Sequence, residues 1–178
     1  MATTTWALDP THSDIQFKIK HLMITNVSGS FNLFDINATT EEEDFTKAAI
    51  SFSAQVNSIN TNNTQRDAHL VSADFFDAAQ YPTINFVAKK ADDVDHDGSY
   101  NLHGDLTIKG ITKPVVLSVE FGGVTKDMYG NTKAGFTING KINRTDFGLT
   151  WNAALETGGV LVSEDVKIMS EIQLIKQA

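Results

Sequence analysis

The side chains best suited to covalent chemistry are three consecutive residues near the start of the chain, His12, Ser13 and Asp14. A hydrolase needs such groups in one line, because an acid must orient the base that activates the nucleophile. Adjacent side chains of an extended segment point to opposite faces, so these three cannot form that line. The chain also has no Gly-x-Ser-x-Gly turn and no cysteine. We predict that the protein is not an enzyme.

Carboxylates and histidines provide the next candidates, as metal ligands. The five histidines lack the close spacing of a zinc site. The segment Asp93-x-Asp95-x-Asp97-Gly98 resembles the first half of an EF-hand calcium loop, but its twelfth position is Gly104 instead of glutamate. Two interpretations of this segment stay open: a weak calcium site and a solvated turn. We predict that the protein holds no metal and no cofactor other than a bound ligand.

Composition narrows the class of protein and its partners. The chain has 178 residues, of which 41% are hydrophobic and 20% charged, as in one ordinary globular domain, and we assign residues 1–178 to it. A net charge of −8 repels a phosphate backbone or an anionic membrane surface, and we expect no nucleic-acid partner. The first residues lack the basic and apolar regions of a signal peptide, and no apolar run approaches 18 residues. We therefore expect a cytoplasmic protein without integral membrane insertion.

The elements that position these side chains are strands. Apolar and polar residues alternate with a period of two, which is typical of a strand with one buried face. Polar or glycine-containing turns separate the alternating stretches and favour antiparallel hairpins. The eight predicted strands are 15–19, 27–33, 50–56, 84–88, 100–108, 115–121, 134–142 and 166–174.

Two segments break this alternation. Residues 61–79 begin with residues that cap helices and end before Tyr81 and Pro82, so we predict one or two short helical turns there. Residues 146–159 are irregular but carry the apolar side chains of Phe147, Leu149, Trp151 and Leu155. Apolar residues in so long a loop need a surface to cover.

Eight antiparallel strands with little helix must bury their apolar faces against one another, and sequential hairpins favour a closed barrel. The interior of such a barrel is wide enough for packed side chains or for one small ligand. Six small residues fall on the inward phase, and they predict an apolar cavity with an apolar occupant unless glycine merely bends the strands. These residues are Gly29, Ala54, Ala88, Gly104, Ala134 and Gly140.

A series of motifs from Trp6 to about Ile175 resembles the YceI-like proteins, which are also described as polyisoprenoid-binding proteins of lipocalin-like fold. Each motif alone is weak, but their combination in this order is highly specific. The motifs are Trp6-x-Leu8-Asp9-x-x-His12-Ser13-x-Ile15-x-Phe17, Gly29-x-Phe31, Ser58-Ile59-x-Thr61, Arg66-Asp67-x-His69-Leu70, Ser72-x-Asp74-Phe75-Phe76-Asp77, Tyr81-Pro82-x-Ile84-x-Phe86, Gly104-Asp105-Leu106-Thr107-Ile108-x-Gly110-x-Thr112-Lys113-Pro114-Val115, Arg144-x-Asp146-Phe147-Gly148-Leu149 and Ser163-x-Asp165-Val166-x-Ile168.

The resemblance implies an all-β protein, an eight-stranded antiparallel lipocalin-like barrel with a short helical cover. It also implies a long isoprenoid ligand, such as a polyprenyl phosphate or an isoprenoid quinone, and a homodimer. The large inward side chains are then candidates to line a tunnel, with ordinary core packing as the alternative for each. They are Phe17, Ile19, Phe31, Phe52, Val56, Phe86, Leu106, Leu117, Val119, Phe136, Ile138, Ile142, Ile168 and Ile172.

The polar head group of such a ligand has its own candidates. Arg66 and His69 in the predicted helical turns, and Arg144 after a strand, could donate to a phosphate or a quinone oxygen. Alternatively, Arg66 with Asp67 and Arg144 with Asp146 form ion pairs that fasten the cover. The sequence thus predicts non-catalytic binding, carriage or sequestration of an isoprenoid lipid. A protein–protein interaction or stress-response module with a filled core is the alternative.

Overall fold

The computed structural model describes residues 2–152 and 161–178, and the predicted covering residue Leu155 lies outside them. This part of the chain contains one α-helix, α1 (Thr64–Leu70), and short 3-10 turns at Pro10–His12, Val56–Ser58 and Arg144–Phe147. Its strands are β1 (Thr3–Leu8), β2 (Asp14–His21), β3 (Thr25–Phe31), β4 (Phe34–Glu41), β5 (Asp44–Gln55), β6 (Ile59–Asn60), β7 (Thr83–Asp92), β8 (Tyr100–Ile108), β9 (Ile111–Lys126), β10 (Thr132–Asn143) and β11 (Val162–Lys176).

Eight of these strands form a closed antiparallel ring in the order β1-β4-β5-β7-β8-β9-β10-β11. Pairing of β1 with β11, with Trp6 opposite Lys176, closes the ring. The short hairpin of β2 and β3, with β6 beside it, prolongs the wall formed by β1, β4 and β5. The predicted eight-stranded antiparallel barrel is confirmed. Six of the predicted stretches fall within one observed strand, whereas 27–33 runs past the end of β3 at Phe31 and 50–56 runs past the end of β5 at Gln55.

Three strands of this wall are interrupted at neighbouring positions. The 3-10 turn Pro10–His12 separates β1 from β2, residues 32–33 separate β3 from β4, and Val56–Ser58 separates β5 from β6. Proline cannot donate a hydrogen bond to a sheet, which is one reason for the first interruption. In the sequence, the apolar residues Leu33 and Phe34 are adjacent, which shifts the alternation by one residue. The alternation alone did not predict β1, β4 and β6 as separate strands.

The inward glycines do not create empty space. A methyl group at Gly29 would overlap the ring of Phe17, one at Gly104 would overlap Phe86, and one at Gly140 would overlap Leu117. Each glycine therefore accommodates a large side chain of a neighbouring strand. The expectation of a cavity rested on six small inward residues, and that reasoning was wrong for these three.

One end of the barrel is packed by an aromatic plug, which consists of Trp6, Phe45, Phe121 and Phe136. The ring centroids of Phe45 lie 4.8 Å from Trp6 and 4.9 Å from Phe136, and those of Phe121 and Phe136 are 5.4 Å apart. The indole nitrogen of Trp6, which is fully buried, donates to the Thr40 hydroxyl at 3.0 Å. This end has no room for a ligand.

The other end is covered by a cap, which comprises residues 61–81 with α1 and residues 144–151. The side chain of Asn63 accepts a hydrogen bond from the Arg66 amide and so starts α1. Phe76 of the cap meets Phe31 of β3 edge-to-face at 6.1 Å. The predicted helical turns are thus present. Among the described residues, no helix is long and apolar enough to cross a membrane.

Candidate functional site: the barrel cavity

A cavity of about 160 Å³ lies between the aromatic plug and the cap, and its surface is entirely apolar. Alternating residues of β2 to β5 and β7 to β11 point into it, since the barrel wall turns every second side chain inward. The lining residues are Ile15, Gln16, Phe17, Phe31, Ile36, Ile50, Phe52, Ala54, Ile84, Phe86, Leu102, Leu106, Ile108, Val115, Leu117, Ile138, Ile142, Ile168, Ser170 and Ile172. An apolar surface of this kind is suited to a hydrocarbon and offers water no hydrogen-bond partner.

Most of the apolar residues predicted to line a tunnel border this cavity. Ten of them do so: Phe17, Phe31, Phe52, Phe86, Leu106, Leu117, Ile138, Ile142, Ile168 and Ile172. Their contact with a ligand stays a prediction, but the structure brings them together around one space.

Four predicted tunnel residues lie elsewhere. Val119 and Phe136 are buried at the plugged end, where Phe136 contacts Phe45 and Phe121. Val56 is only 1% exposed at the start of the 3-10 turn after β5, away from the cavity wall. Ile19 is half-buried on β2, nearer the capped end than the cavity. These side chains lie at other heights along the barrel axis than the cavity does. They therefore belong to the core or to the rim of the barrel.

Arg144 is a structural clamp of the cap. It is 3% exposed, and its guanidinium donates to the carbonyl oxygens of Ser163, Leu149, Trp151 and Val162. Burial lowers the pKa of Arg144, and the backbone oxygens compensate for the lost hydration. Its donors are therefore directed at the backbone and not at a head group, and Asp146 is exposed beside it.

Arg66 and Asp67 fasten α1 to the barrel by a shared partner. The Arg66 Nε and Nη2 atoms donate to the hydroxyl and carbonyl oxygens of Thr61 at 2.8 and 2.7 Å. Asp67 accepts from the amide and hydroxyl of the same Thr61 at 2.9 and 2.6 Å. The expected pairing of Arg66 with Asp67 is thus replaced by a joint anchor on Thr61.

His69 belongs to an aromatic group in the cap. Its ring lies 5.1 Å from Phe75 and 5.0 Å from Trp151, both edge-on. Its Nε2 atom is 2.9 Å from the Asp74 carboxylate, and the side chain is 38% exposed. His69 therefore joins two parts of the cap at the surface, above the cavity.

Several lining residues were not singled out from the sequence although the signal was present. Ile15, Ile50, Ile84, Leu102 and Val115 share the inward phase of the predicted residues on their strands. Ile36 was hidden because β4 continues with the buried polar residue Thr40, whose hydroxyl is bonded to Trp6. A buried threonine breaks the apolar alternation that marks a strand.

The calcium-like segment is a hydrogen-bonded turn. The Asp95 carboxylate accepts from the amides of Asp97 and Ser99, each at 3.1 Å. The hydrogen bond between the side chains of Asp95 and Asp97 lowers the pKa of Asp97 to about 2, with further help from Ser99. No group of three or more acidic or histidine side chains in residues 2–152 and 161–178 is arranged to hold a metal ion. The carboxylate of Asp95 therefore accepts hydrogen bonds from the backbone of the turn itself.

A buried carboxylate fixes the first strand at the plugged end. Asp9 is 5% exposed and accepts from the Lys133 ammonium at 2.6 Å, from His12 at 2.8 Å and from Thr11. Burial raises the pKa of Asp9, but these hydrogen bonds outweigh it and hold the pKa far below its usual 3.8. The charge of Asp9 is therefore stabilised in the folded state.

A closed antiparallel barrel with an apolar cavity inside its wall and a short helical cap defines the class of lipocalin-like barrels. The chain belongs to the YceI-like domain family, whose pattern matches residues 6–174. A UPF0312 protein of Staphylococcus aureus (strain MSSA476) is 42% identical over 165 residues, which are 92% of this chain and 93% of that protein.

Solved structures share the architecture. The YCEI protein of Campylobacter jejuni superimposes with a TM-score of 0.76 at 35% identity, covering 96% of this chain and 97% of that one. A polyisoprenoid binding domain from Saccharophagus degradans, implicated in plant cell wall breakdown, gives a TM-score of 0.64 at 14% identity, covering 97% and 98%. At that identity the likeness concerns the fold alone.

Proposed function

We propose that this protein binds and carries or sequesters an isoprenoid lipid in its barrel without transforming it. The observation that carries the proposal is the cavity inside the barrel wall, whose surface is wholly apolar. Membership of the YceI-like family supports it, and so does the description of a neighbour of the same fold as a polyisoprenoid binding domain. The internal cavity argues against a module with a filled core.

The energetics favour a branched hydrocarbon chain. Each buried methylene contributes about 0.8 kcal/mol, so one isoprene unit is worth up to about 4 kcal/mol before ordering costs. A dry cavity of about 150 Å³ binds a six-carbon ring in a well-studied case, and the cavity here is of similar size. It therefore accepts about one isoprene unit in its present shape.

A longer chain requires side chains to move. Ile50, Phe17 and Phe52 are half-buried and border the cavity, whereas the plug residue Trp6 is fully buried. Rotation of the half-buried side chains lengthens the space toward the cap, and the plug sets its closed end. We expect the chain to enter from the capped end with its first isoprene unit against Leu102 and Ile172.

Of the three head-group candidates Arg66, His69 and Arg144, Arg66 keeps a free donor. Within the described residues, Nη1 of Arg66 has no hydrogen-bond partner, whereas Nε and Nη2 are bound to Thr61. Arg144 is committed to backbone oxygens and His69 to Asp74. We therefore favour Arg66 as the residue that meets a phosphate or quinone oxygen.

Native mass spectrometry of the purified protein, followed by denaturing extraction, tests the proposal. We expect a discrete adduct, either already present or after incubation with polyprenyl phosphates and isoprenoid quinones. A bare mass after both incubations would overturn the carrier function for this protein.

A matched pair of variants locates the ligand. Ala54→Leu adds three carbons toward the cavity and is expected to weaken adduct formation about tenfold or more, because it occupies part of the space that the first isoprene unit would fill. Ser51→Leu adds the same carbons on the exposed face of the same strand, and binding should not change. Equal binding by both variants would place the lipid outside the barrel.

The homodimer, the quinone ligand and the cytoplasmic location stay predictions. Sedimentation equilibrium measures the first of these directly, and a mass of one chain at micromolar concentration would contradict it.

A further inference from the structure

A row of lysines crosses the outer surface of the barrel near the capped end. Lys141 of β10 lies opposite Lys167 of β11, and Lys167 lies opposite Lys18 of β2. Lys20 follows on the same face, and all four side chains are exposed. Like charges placed directly opposite one another on a sheet are destabilising. The row is notable in a chain whose net charge is −8.

Few carboxylates neutralise this lysine row. Lys141 lies 3.6 Å from Asp165, but within the described residues Lys18, Lys20 and Lys167 have no carboxylate within 4 Å. Acidic residues lie in a separate row toward the plugged end, where Glu120 and Glu171 flank Thr137 and Asp14 follows. Four residues of strand, about 13 Å, separate the two rows. On this face of the barrel, the lysine row and the acidic row are thus separate.

The hairpin between β2 and β3 ends in an apolar tip, Leu22, Met23 and Ile24, which are 40%, 49% and 76% exposed. Leu22 and Met23 both have positive φ, and the amide of Ile24 donates to the His21 carbonyl across them. Asparagine and glycine are favoured at such positions, and bulky side chains are strained there. The chain therefore keeps large apolar side chains in a turn that disfavours them.

We propose that the apolar tip and the lysine row together dock the protein on an anionic lipid bilayer, with the capped end facing the membrane. With the tip in the interface, Lys18 and Lys20 stand about 7–13 Å behind it, within or close to one Debye length of the lipid charges. We expect a lipid to enter the cavity at this same end, so docking would bring that entry to membrane lipids. The delivery of membrane lipids to the cavity rests on the proposed lipid-binding function. Docking itself does not, because it needs no ligand in the cavity.

Flotation with vesicles tests the docking. We expect binding to vesicles of phosphatidylcholine and phosphatidylglycerol in a 3:1 ratio, and much weaker binding to phosphatidylcholine alone. The variant Lys18→Gln/Lys167→Gln should lower the partition coefficient about fivefold per lysine, and high salt should act in the same direction. Lys89→Gln/Lys90→Gln on β7 removes equal charge elsewhere and should bind as the wild type does.

One variant of the apolar tip is expected to keep the protein folded. Leu22→Asn/Met23→Gly introduces the pair that the turn geometry favours, so thermal stability should stay equal or rise. Vesicle binding should fall about tenfold or more, because the apolar side chains are gone. Met128→Gln/Tyr129→Gln removes two exposed apolar side chains from the opposite end and should leave binding unchanged.

Two results would overturn the docking proposal: no flotation with either vesicle, or full binding by Leu22→Asn/Met23→Gly. Isoprenoid loading of this tip variant in detergent solution should equal that of the wild type, because the cavity is untouched. A protein that loads isoprenoid but does not float refutes docking alone. A protein that floats but never loads isoprenoid refutes the proposed function alone.

Discussion

The two ends of the barrel use the same alternating pattern for opposite purposes. At the plugged end, Trp6, Phe45 and Phe136 fill the interior with rings 4.8 to 4.9 Å apart. At the capped end, aliphatic side chains such as Leu106 and Ile142 surround a cavity of about 160 Å³. Aromatic rings contribute large buried areas to a core. The plug therefore stabilises the fold, and the other end is free to hold a ligand.

The strongest test of this division is Trp6→Ala in the plug. Trp6 is fully buried and bonded to Thr40, so its truncation should lower the free energy of unfolding by about 3–5 kcal/mol. Urea unfolding followed by circular dichroism measures this loss. Trp6→Phe, which keeps a ring, should cost less. Isoprenoid binding by the folded variant at low temperature should persist, and its loss would show that plug and cavity are one unit.

Adding the same three carbons at each end of the barrel compares how tightly the two ends are packed. Ala134 is fully buried at the plugged end, so Ala134→Leu should destabilise the protein by about 1–3 kcal/mol through overpacking. Ala54→Leu directs the same carbons into the cavity and should change stability by less than about 1 kcal/mol. Thermal denaturation of both variants provides the measurement. Similar losses at the two sites would mean that the cavity closes in solution.

A smaller, pH-dependent effect is expected for Asp9→Asn on the outside of the plugged end. The folded-state pKa of Asp9 lies far below 3.8, so its charge stabilises the fold above the unfolded pKa, and this contribution disappears as pH falls. The variant should lose about 1–3 kcal/mol at pH 7, and the difference from the wild type should shrink below about pH 4. Exposed Glu42→Gln is the control. A difference independent of pH would assign the loss to packing.

Alternation in the sequence predicts which side chains point inward but not how far along the barrel they lie. Leu117 and Val119 have the same phase on β9, yet only Leu117 borders the cavity, and Val119 is buried at the plugged end. Ile138 and Phe136 on β10 differ in the same way. The stretches on β2, β3, β5 and β7 to β11 and ten lining residues were therefore predictable, whereas β1, β4 and the plug were not.

The role of Arg144 as the clamp of the cap could not be predicted from the sequence, for a different reason. Arg144 binds backbone oxygens of residues 149, 151, 162 and 163, and carbonyl partners leave no trace in residue types. An arginine near an aspartate therefore suggested an ion pair or a phosphate ligand. Only the three-dimensional course of the cap shows that the guanidinium holds it together.

Closure of the ring by β1 and β11 has a consequence for biosynthesis. Trp6 pairs with Lys176, so the edge of β1 stays unpaired until β11 has left the ribosome. Topologies with such non-local pairings fold slowly, in milliseconds to seconds, and expose edges meanwhile. Residues of β11 also line the cavity, so its wall is incomplete until β11 is in place. A ligand of the cavity would therefore meet the finished barrel.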